Sequence, residues 1–445
     1  MSILRISNGT TTVDLYDTAG LHLKRHGWNP LLAVENEFGD YNDVTDAISL
    51  NWAATTDNVR DATLQNLVRL GHQARAYERD RRITNPVWLE ARTPTETNSR
   101  YALLRSIDIP QLDSWHWGPA RGVNLALTIT REGAWRAQSP SVTPLNITSM
   151  VSGTIYNHAY GLTSNYLDVL GSSALGDAYA LPVFQVSHTN RQDFCTIALR
   201  SRLTQAELGG FRPHFHAVNF GDATYLVADA GATGGQKWER AVSGTGSMTN
   251  HVALPVGLSY YTGSYLVFAV AKATAALTSL QIGHSIQTTF AENANQPVTV
   301  PVTTSFMPLY LGRITMPPSG SVPGLSDPAA YYLNLQLAWS GSATFSLRNI
   351  YIVPVDEGVF TITDPTADFV ADSVLERTWN RSSGNAYLDI APIVRGRYLR
   401  LRAGWVTRVM FFYHNTDAKG GVGPTETAAV NVRALLRYLG IRGNT

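Results

Sequence analysis

The sequence predicts a mainly β protein: an α+β N-terminal part followed by a β-sandwich. Charged residues are only 16% of the 445 positions while apolar ones are 44%, too few charges to coat the faces of a helix bundle. The chain carries 20 Tyr, 14 Phe and 10 Trp, side chains that suit pleated, half-buried layers. Short period-two runs separated by Ser, Gly, Asn and Pro recur through its middle, the pattern of sandwiches and jelly rolls. A chain this long exceeds one ordinary core and implies roughly two or three domains.

Residues 1 to 137 read as the α+β unit. Strands are expected at Ile3–Ile6, Thr11–Leu15 and Ala47–Trp52. A helix over 57–80 follows, with Asp57 as N-cap and an apolar stripe of Val59, Ala62, Leu67, Leu70, Ala74 and Tyr77. Strands resume at 87–91 and 101–105, and the run from Val123 to Thr130 alternates as a half-buried strand should.

From Ser139 to Pro354 the texture becomes turn-rich. Strands are expected at 181–187, 194–200, 215–220, 264–270, 306–314, 331–338 and 345–353, with Arg240–Gly263 read as a mobile loop. Beyond 355, strands are expected at 359–363 and 386–390. Arg397–Arg402 and Val406–Tyr413 read as a hairpin turning near Gly404. Val432, Leu435, Leu436 and Leu439 fall at helical spacing before Gly440.

The formal net charge is +1, which supplies no whole-molecule field for nucleic acid or an anionic membrane. No apolar run reaches membrane-spanning length, and the start of the chain lacks the basic, then apolar, course of a signal peptide. The chain therefore reads as made and assembled in a cytoplasm. The single cysteine, Cys195, sits in an alternating segment and reads as a buried structural thiol.

Few residues suggest chemistry. His214 and His216 share a strand face and could reach one ion, but no carboxylate or thiol stands nearby to complete the shell, so no metal is expected. Asp168 and Asp177 bracket a Gly/Ser loop where turn capping competes with calcium binding. Trp115 and Trp117 could stack on sugar rings or lie under a neighbouring subunit. No nucleophile elbow, phosphate-binding loop or metalloprotease motif occurs. The expectation is a non-enzyme without cofactor.

The course ending in Pro86-Val-Trp-Leu-Glu-Ala-Arg-Thr-Pro-Thr-Glu-Thr-Asn-Ser-Arg-Tyr-Ala-Leu-Leu104, then Leu125-Ala-Leu-Thr-Ile-Thr-Arg-Glu-Gly-Ala-Trp-Arg136, resembles tail proteins of long-tailed phages of the distal-tail, tube-forming kind. Gly396-Arg-Tyr-Leu-Arg-Leu-Arg-Ala-Gly404 is similar to a late strand of such proteins, with Ala403 where Pro is usual. The resemblance implies a discontinuous tail-type β-barrel, 1–137 with 355–445, carrying a helix, with a jelly-roll module inserted at 138–354. It also implies a virion protein assembled in the host cytoplasm, forming a hexameric or trimeric ring or tube through sheet edges and the loop around 36–43. Its partners would be other tail or baseplate proteins, and its outward module could contact glycan. In such a ring the basic cluster Arg75, Arg79, Arg81 and Arg82 could face the lumen; otherwise it caps a helix end. The competing reading is a carbohydrate-binding or carbohydrate-active protein.

Overall fold

A computed structural model describes residues 3–16, 21–23, 27–35, 41–52, 57–80, 85–109, 123–142, 146–156, 166–170, 176–188, 194–209, 211, 213–220, 222–229, 232, 235–254, 261–275, 278–286, 295–316, 331–363, 368–381, 387–388, 394–414 and 427–439. The protein is mainly β, built of several facing sheets.

The first unit contains β1 (Ile3–Ser7), β2 (Thr12–Asp14), β3 (Leu21–Leu23), β4 (Val44–Trp52), α1 (Asp57–Arg79), β5 (Trp88–Arg92), β6 (Arg100–Asp108), β7 (Val123–Arg131) and β8 (Trp135–Arg136). Antiparallel pairing orders them β2-β1-β5-β6-β7-β4-β3. Helix α1 lies against this curved sheet: Leu64, Leu67, Leu70 and Ala74 join a core with Leu4, Ile6, Leu89, Leu104, Ile107 and Leu127. The stripe is the one that three- and four-residue spacing predicts, except that Ala62 is exposed and Leu64 takes its place. Gly71 lets the helix approach β6, since a Cβ there would stand 3.1 Å from the Ile107 carbonyl oxygen.

A second unit begins with β9 (Ser149–Tyr156), β10 (Tyr166–Val169), β11 (Ala178–His188) and β12 (Phe194–Arg202). The chain then enters α2 (Gln205–Gly209), β13 (His214–His216), β14 (Leu226–Ala228), β15 (Gln236–Val242), β16 (Thr245–Ala253), β17 (Gly263–Ala273), β18 (Thr278–Ile286), β19 (Val298–Thr299), β20 (Met307–Met316), β21 (Tyr331–Ser340) and β22 (Ala343–Pro354). It returns through β23 (Val359–Thr363), β24 (Asp368–Asp372), β25 (Arg377–Arg381), β26 (Tyr387–Leu388), β27 (Val394–Gly396), β28 (Val406–His414) and β29 (Thr427–Tyr438).

Strands before and after the excursion pair with each other. One sheet contains β9-β29-β11-β24-β25-β26 and the facing sheet is β10-β28-β12-β23-β27. Phe184, Ile197, Cys195, Phe360, Phe369, Val409, Phe411 and Val432 fill the space between them. The excursion forms its own pair of layers, β14-β15-β22-β17-β20 against β16-β21-β18-β19, around Tyr265, Val267, Leu280, Ile282, Leu335, Phe345 and Ile350. With β15 to β22 counted as one to eight, the layers are ordered 1-8-3-6 and 2-7-4-5. Entry and exit are neighbours, because β12 and β23 share a ladder from Phe194↔Thr363 to Ala198↔Val359.

Five expectations change. The strand expected at 215–220 ends at His216, and Ala217–Phe220 is a 3-10 helix. Hydrogen bonding joins 149–202 to 359–438, so by pairing the excursion starts near 203, not at 138. Residues 431–438, expected as a helix, are the end of β29. Val430, Val432 and Ala434 point into one core while Leu435 packs with Ile147, Val183, Val370 and Trp379 on the other side, and a strand buried on both faces loses its period-two signature. Arg397–Arg402 does not hairpin with β28; Leu401 exchanges two 2.9 Å backbone hydrogen bonds with Ala180 of the opposite sheet. Arg240–Gly263, expected as a mobile loop, holds the whole of β16, which pairs with β21 from Thr245 to Ala253. Its less exposed positions are Gly246, Met248, Asn250 and Val252, and a glycine and an amide among them mask the alternation.

Phe184 is fully buried and packs edge-on to Phe411 across the second sandwich, ring centroids 6.3 Å apart. Phe184→Ala is expected to cost that sandwich about 3–5 kcal/mol, measured as faster hydrogen exchange in β11 and β28 with β4 and β7 unchanged.

Candidate functional site

Among the described residues the most exposed apolar cluster lies in one loop, and a buried ion pair holds it there. Between β3 and β4, Leu31, Leu32 and Val34 are 55%, 71% and 69% exposed. Such a cluster marks a contact surface more often than solitary exposed residues do. Beneath it, Arg131 at the end of β7 is fully buried and its Nε donates to Asp46 Oδ2 at 2.7 Å. Arg131 Nη2 donates to the Leu31 carbonyl at 2.8 Å, and Nη1 to the carbonyls of Glu132 and Gly133 at 3.1 Å each. Asp46 Oδ1 accepts from the Leu31 backbone N–H at 3.0 Å. One guanidinium and one carboxylate thus satisfy both polar groups of the Leu31 backbone.

Further contacts shape the loop. Ser49 N donates to the Gly27 carbonyl at 2.7 Å, and Asn42 N to the Val34 carbonyl at 3.1 Å. Trp28 is buried edge-on to Trp135 with centroids 6.1 Å apart, and the Arg131 guanidinium lies 4.6 Å over the Trp135 ring. Gly133 passes directly beneath: a Cβ there would meet Asn42 O at 2.3 Å and Ala33 Cβ at 2.6 Å. The position tolerates no side chain.

The same phrase, Arg131 to Arg136, ties the first unit to the second. Glu132 Oε1 accepts from the Leu103 N–H at 3.0 Å and Oε2 from Arg136 Nη2 at 2.7 Å. Burial alone would raise this carboxyl, but Arg136, Arg437 and the Leu103 amide hold it below the usual carboxylate range. Strand β8 pairs with β6 on one side and with β29 on the other, Arg136 opposite Arg437 and Trp135 opposite Tyr438. Arg100 lies 3.6 Å over the Tyr438 ring at this splice.

The residues singled out in the sequence are mostly committed elsewhere. Trp115, Trp117, Arg81 and Arg82 lie outside the described residues, as do 36–40 of the expected assembly loop. Arg75 pairs with exposed Asp108 at the end of β6, a contact worth about 0–1 kcal/mol, and Arg79 is exposed in the last turn of α1. Asp168 receives a two-pronged contact from buried Arg408 at 2.8 and 3.0 Å, while Asp177 accepts from the Leu439 N–H at 2.6 Å. These carboxylates have separate structural partners. His214 packs on Tyr351 and Phe412, centroids 5.9 and 5.4 Å away, and His216 is buried one step along. Among the described residues no group of three His, Cys, Asp or Glu could hold a metal ion. Cys195 is buried in the second core.

Cavities open among the described residues. One of about 590 Å³ lies between the first two units, lined by Tyr77, Arg136, Ile147, Val374 and Leu435. Another of about 650 Å³ includes Glu35, Tyr179, Glu357, Arg397 and Arg400. Burial holds Glu357 above its ordinary pKa, against the pull of the Ser201 amide and Arg202.

No protein-family model matches the sequence, and no curated protein is significantly similar to it. Among solved structures, the chain is similar to SPP1 Dit, described as a paradigm of the hub adsorption apparatus in phages infecting Gram-positive bacteria. The identity is 7% and the TM-score 0.31, over 98% of this chain and 100% of that one. It is similar to a chain of the phage p2 baseplate in its activated conformation with strontium at 9% identity and a TM-score of 0.20, over 78% and 97% of the two chains. A chain of infectious bursal virus derived T=1 particles matches at 11% identity and a TM-score of 0.19, over 92% and 81%. Scores this low do not by themselves establish a shared fold.

Arg131→Met is expected to destabilise the first unit by about 3–5 kcal/mol, because Asp46 would stay buried and unpaired. Adding Asp46→Leu should recover much of the loss, read by urea denaturation monitored on Trp28 and Trp135. A pH response follows from the histidines. Burial pushes His216 down to about 4, so between pH 4 and 6.5 the unfolded chain binds the extra proton; this stability is complete above pH 6.5 and is lost as pH falls toward 4. In the second sandwich His188, also near 4, is offset by Asp372, which burial raises to about 6 and which therefore loses stability as pH rises. Hydrogen exchange at pH 4 should therefore quicken more in β13–β22 than in β11 and β24, and His216→Phe should flatten the difference.

Proposed function

We propose that this chain is a structural subunit of a bacteriophage tail or baseplate, of the distal-tail kind, closing into a ring or tube with copies of itself. The observation that carries the reading is the loop at 31–34. A fully buried ion pair and a glycine with no room for a side chain hold bare aliphatic groups in solvent. A lone monomer gains nothing from that exposure, and a second copy would bury it. The residues beneath the loop belong to the Arg131-to-Arg136 phrase that resembles tail proteins, which supports the same reading.

In this reading the excursion is an outward jelly-roll module, supported by its 1-8-3-6 over 2-7-4-5 strand order. The role is non-enzymatic: Asp168, Asp177 and His214 each serve packing or pairing. Partners are further copies, in sixes or threes, and other tail or baseplate proteins in a virion assembled in the host cytoplasm.

Negative-stain microscopy and light scattering of the purified full chain test this. Rings or short tubes are expected, and Leu32→Asp with Val34→Asp should leave monomers with an unchanged circular dichroism spectrum. A wild-type chain that stays monomeric at high concentration would sink the proposal.

A further inference from the structure

We infer that the outward face of the β16-β21-β18 sheet is a binding platform for a neutral oligosaccharide. The inference deepens the outward-module reading and rests on it only for the module's position. Leu280, Ile282, Leu333, Leu335 and Leu337 point into the core of the excursion. Strand alternation then sends Thr249, His251, Gln281, Tyr332 and Gln336 to the other side, the first two exposed and the rest half-buried, with Asn334 buried among them; cross-strand register sets His251 against Asn334, and Thr249 and Gln281 on either flank of Gln336.

The three strands contain no Lys, Arg, Asp or Glu along their whole length, in a chain that is 16% charged. Charge is sorted to the opposite layer. There Lys237 pairs with Glu239, Arg348 pairs with Asp229 at 2.9 Å, and Lys272 sits 4.6 Å over Phe306. That layer also sends Tyr351 and Phe268 into an aromatic stack reaching Phe412 of the second sandwich, so the uncharged face is the one turned from this contact.

The face is also held in shape. His251 Nδ1 and Asn334 Oδ1 are 2.6 Å apart, and Gln281 Nε2 donates to the Asn295 carbonyl at 2.6 Å. His251 meets the Tyr332 ring edge-on with centroids 6.4 Å apart. Preorganised groups of this kind bind without a large ordering cost.

The composition selects the ligand class. Nucleic acid and acidic glycans require cations, which these strands lack. A protein partner requires apolar or aromatic anchors at the centre of its interface, and here the centre is Gln336 flanked by Thr249 and Gln281. Hydroxyls and amides that both donate and accept, beside a single Tyr ring, match a neutral sugar, whose hydroxyls do the same and whose C–H face stacks on an aromatic ring.

Native electrophoresis of the full chain in gels cast with dextran, mannan or galactan, and separately with polygalacturonate, tests this. Retardation is expected in at least one neutral gel, insensitive to salt. It should weaken about tenfold or more in apparent Kd for Tyr332→Ala with Gln336→Ala, a pair of outward substitutions that leaves the core intact. No retardation in any neutral gel, retardation only in polygalacturonate, or retardation unchanged in the double variant would overturn the inference. Rings without retardation would remove the sugar platform alone, whereas retarded monomers would remove the ring and leave the platform standing.

Discussion

The Arg131–Asp46 ion pair is the contact on which the rest of the first unit depends. Both groups are sealed from solvent, and each also serves the Leu31 backbone, so the pair fixes loop position as well as charge balance. Because a buried ion pair contributes little net stability compared with apolar packing, its role here is geometric. It decides where three aliphatic side chains stand. The next five residues extend that control to the second unit: Glu132 grips β6, and Trp135 and Arg136 bridge β6 to β29. The exposed aliphatic loop and the inter-unit splice are thereby set by one hexapeptide.

Much of the fold was legible from periodicity. The α1 stripe, the β7 alternation and the long strands β17 and β21 bury mainly one face, and one buried face writes its period into the sequence. The failures have separate causes. Strand β29 is covered on both sides, so its apolar residues follow packing on two surfaces and mimic helical spacing. Segment 397–402 showed its alternation of Tyr398, Arg400 and Arg402 against Leu399 and Leu401, but alternation does not name a partner, and the partner is Ala180. Strands β9 and β10 are short and rich in Ser, Gly or Asp, and only their pairing with β29 and β28 reveals where the second unit begins.

The candidate site was half legible. The Arg131-to-Arg136 phrase stood out as a pattern, yet nothing local indicated that its guanidinium reaches back 85 residues to Asp46. Leu31 and Leu32 look like core residues in sequence, since exposure depends on what the tertiary fold leaves uncovered. Asp168 and Asp177 read as turn caps or calcium ligands because they bracket one loop, and the fold spends one on Arg408 and the other on a strand end. Proximity along the chain is a poor guide wherever sheets are assembled from distant segments.

The route by which the chain leaves and rejoins the second sandwich has a consequence for connectivity. Its last strand out, β12, and first strand back, β23, are ladder neighbours, and Leu199 N still reaches the Gly358 carbonyl at 3.1 Å. Strands so paired lie about 4.8 Å apart, a gap that a tight turn can span. A few residues of turn would therefore suffice to join β12 to β23 in place of the whole stretch from α2 to β22. A chain built on this plan can change that stretch while the paired strands of the second sandwich keep their ladder.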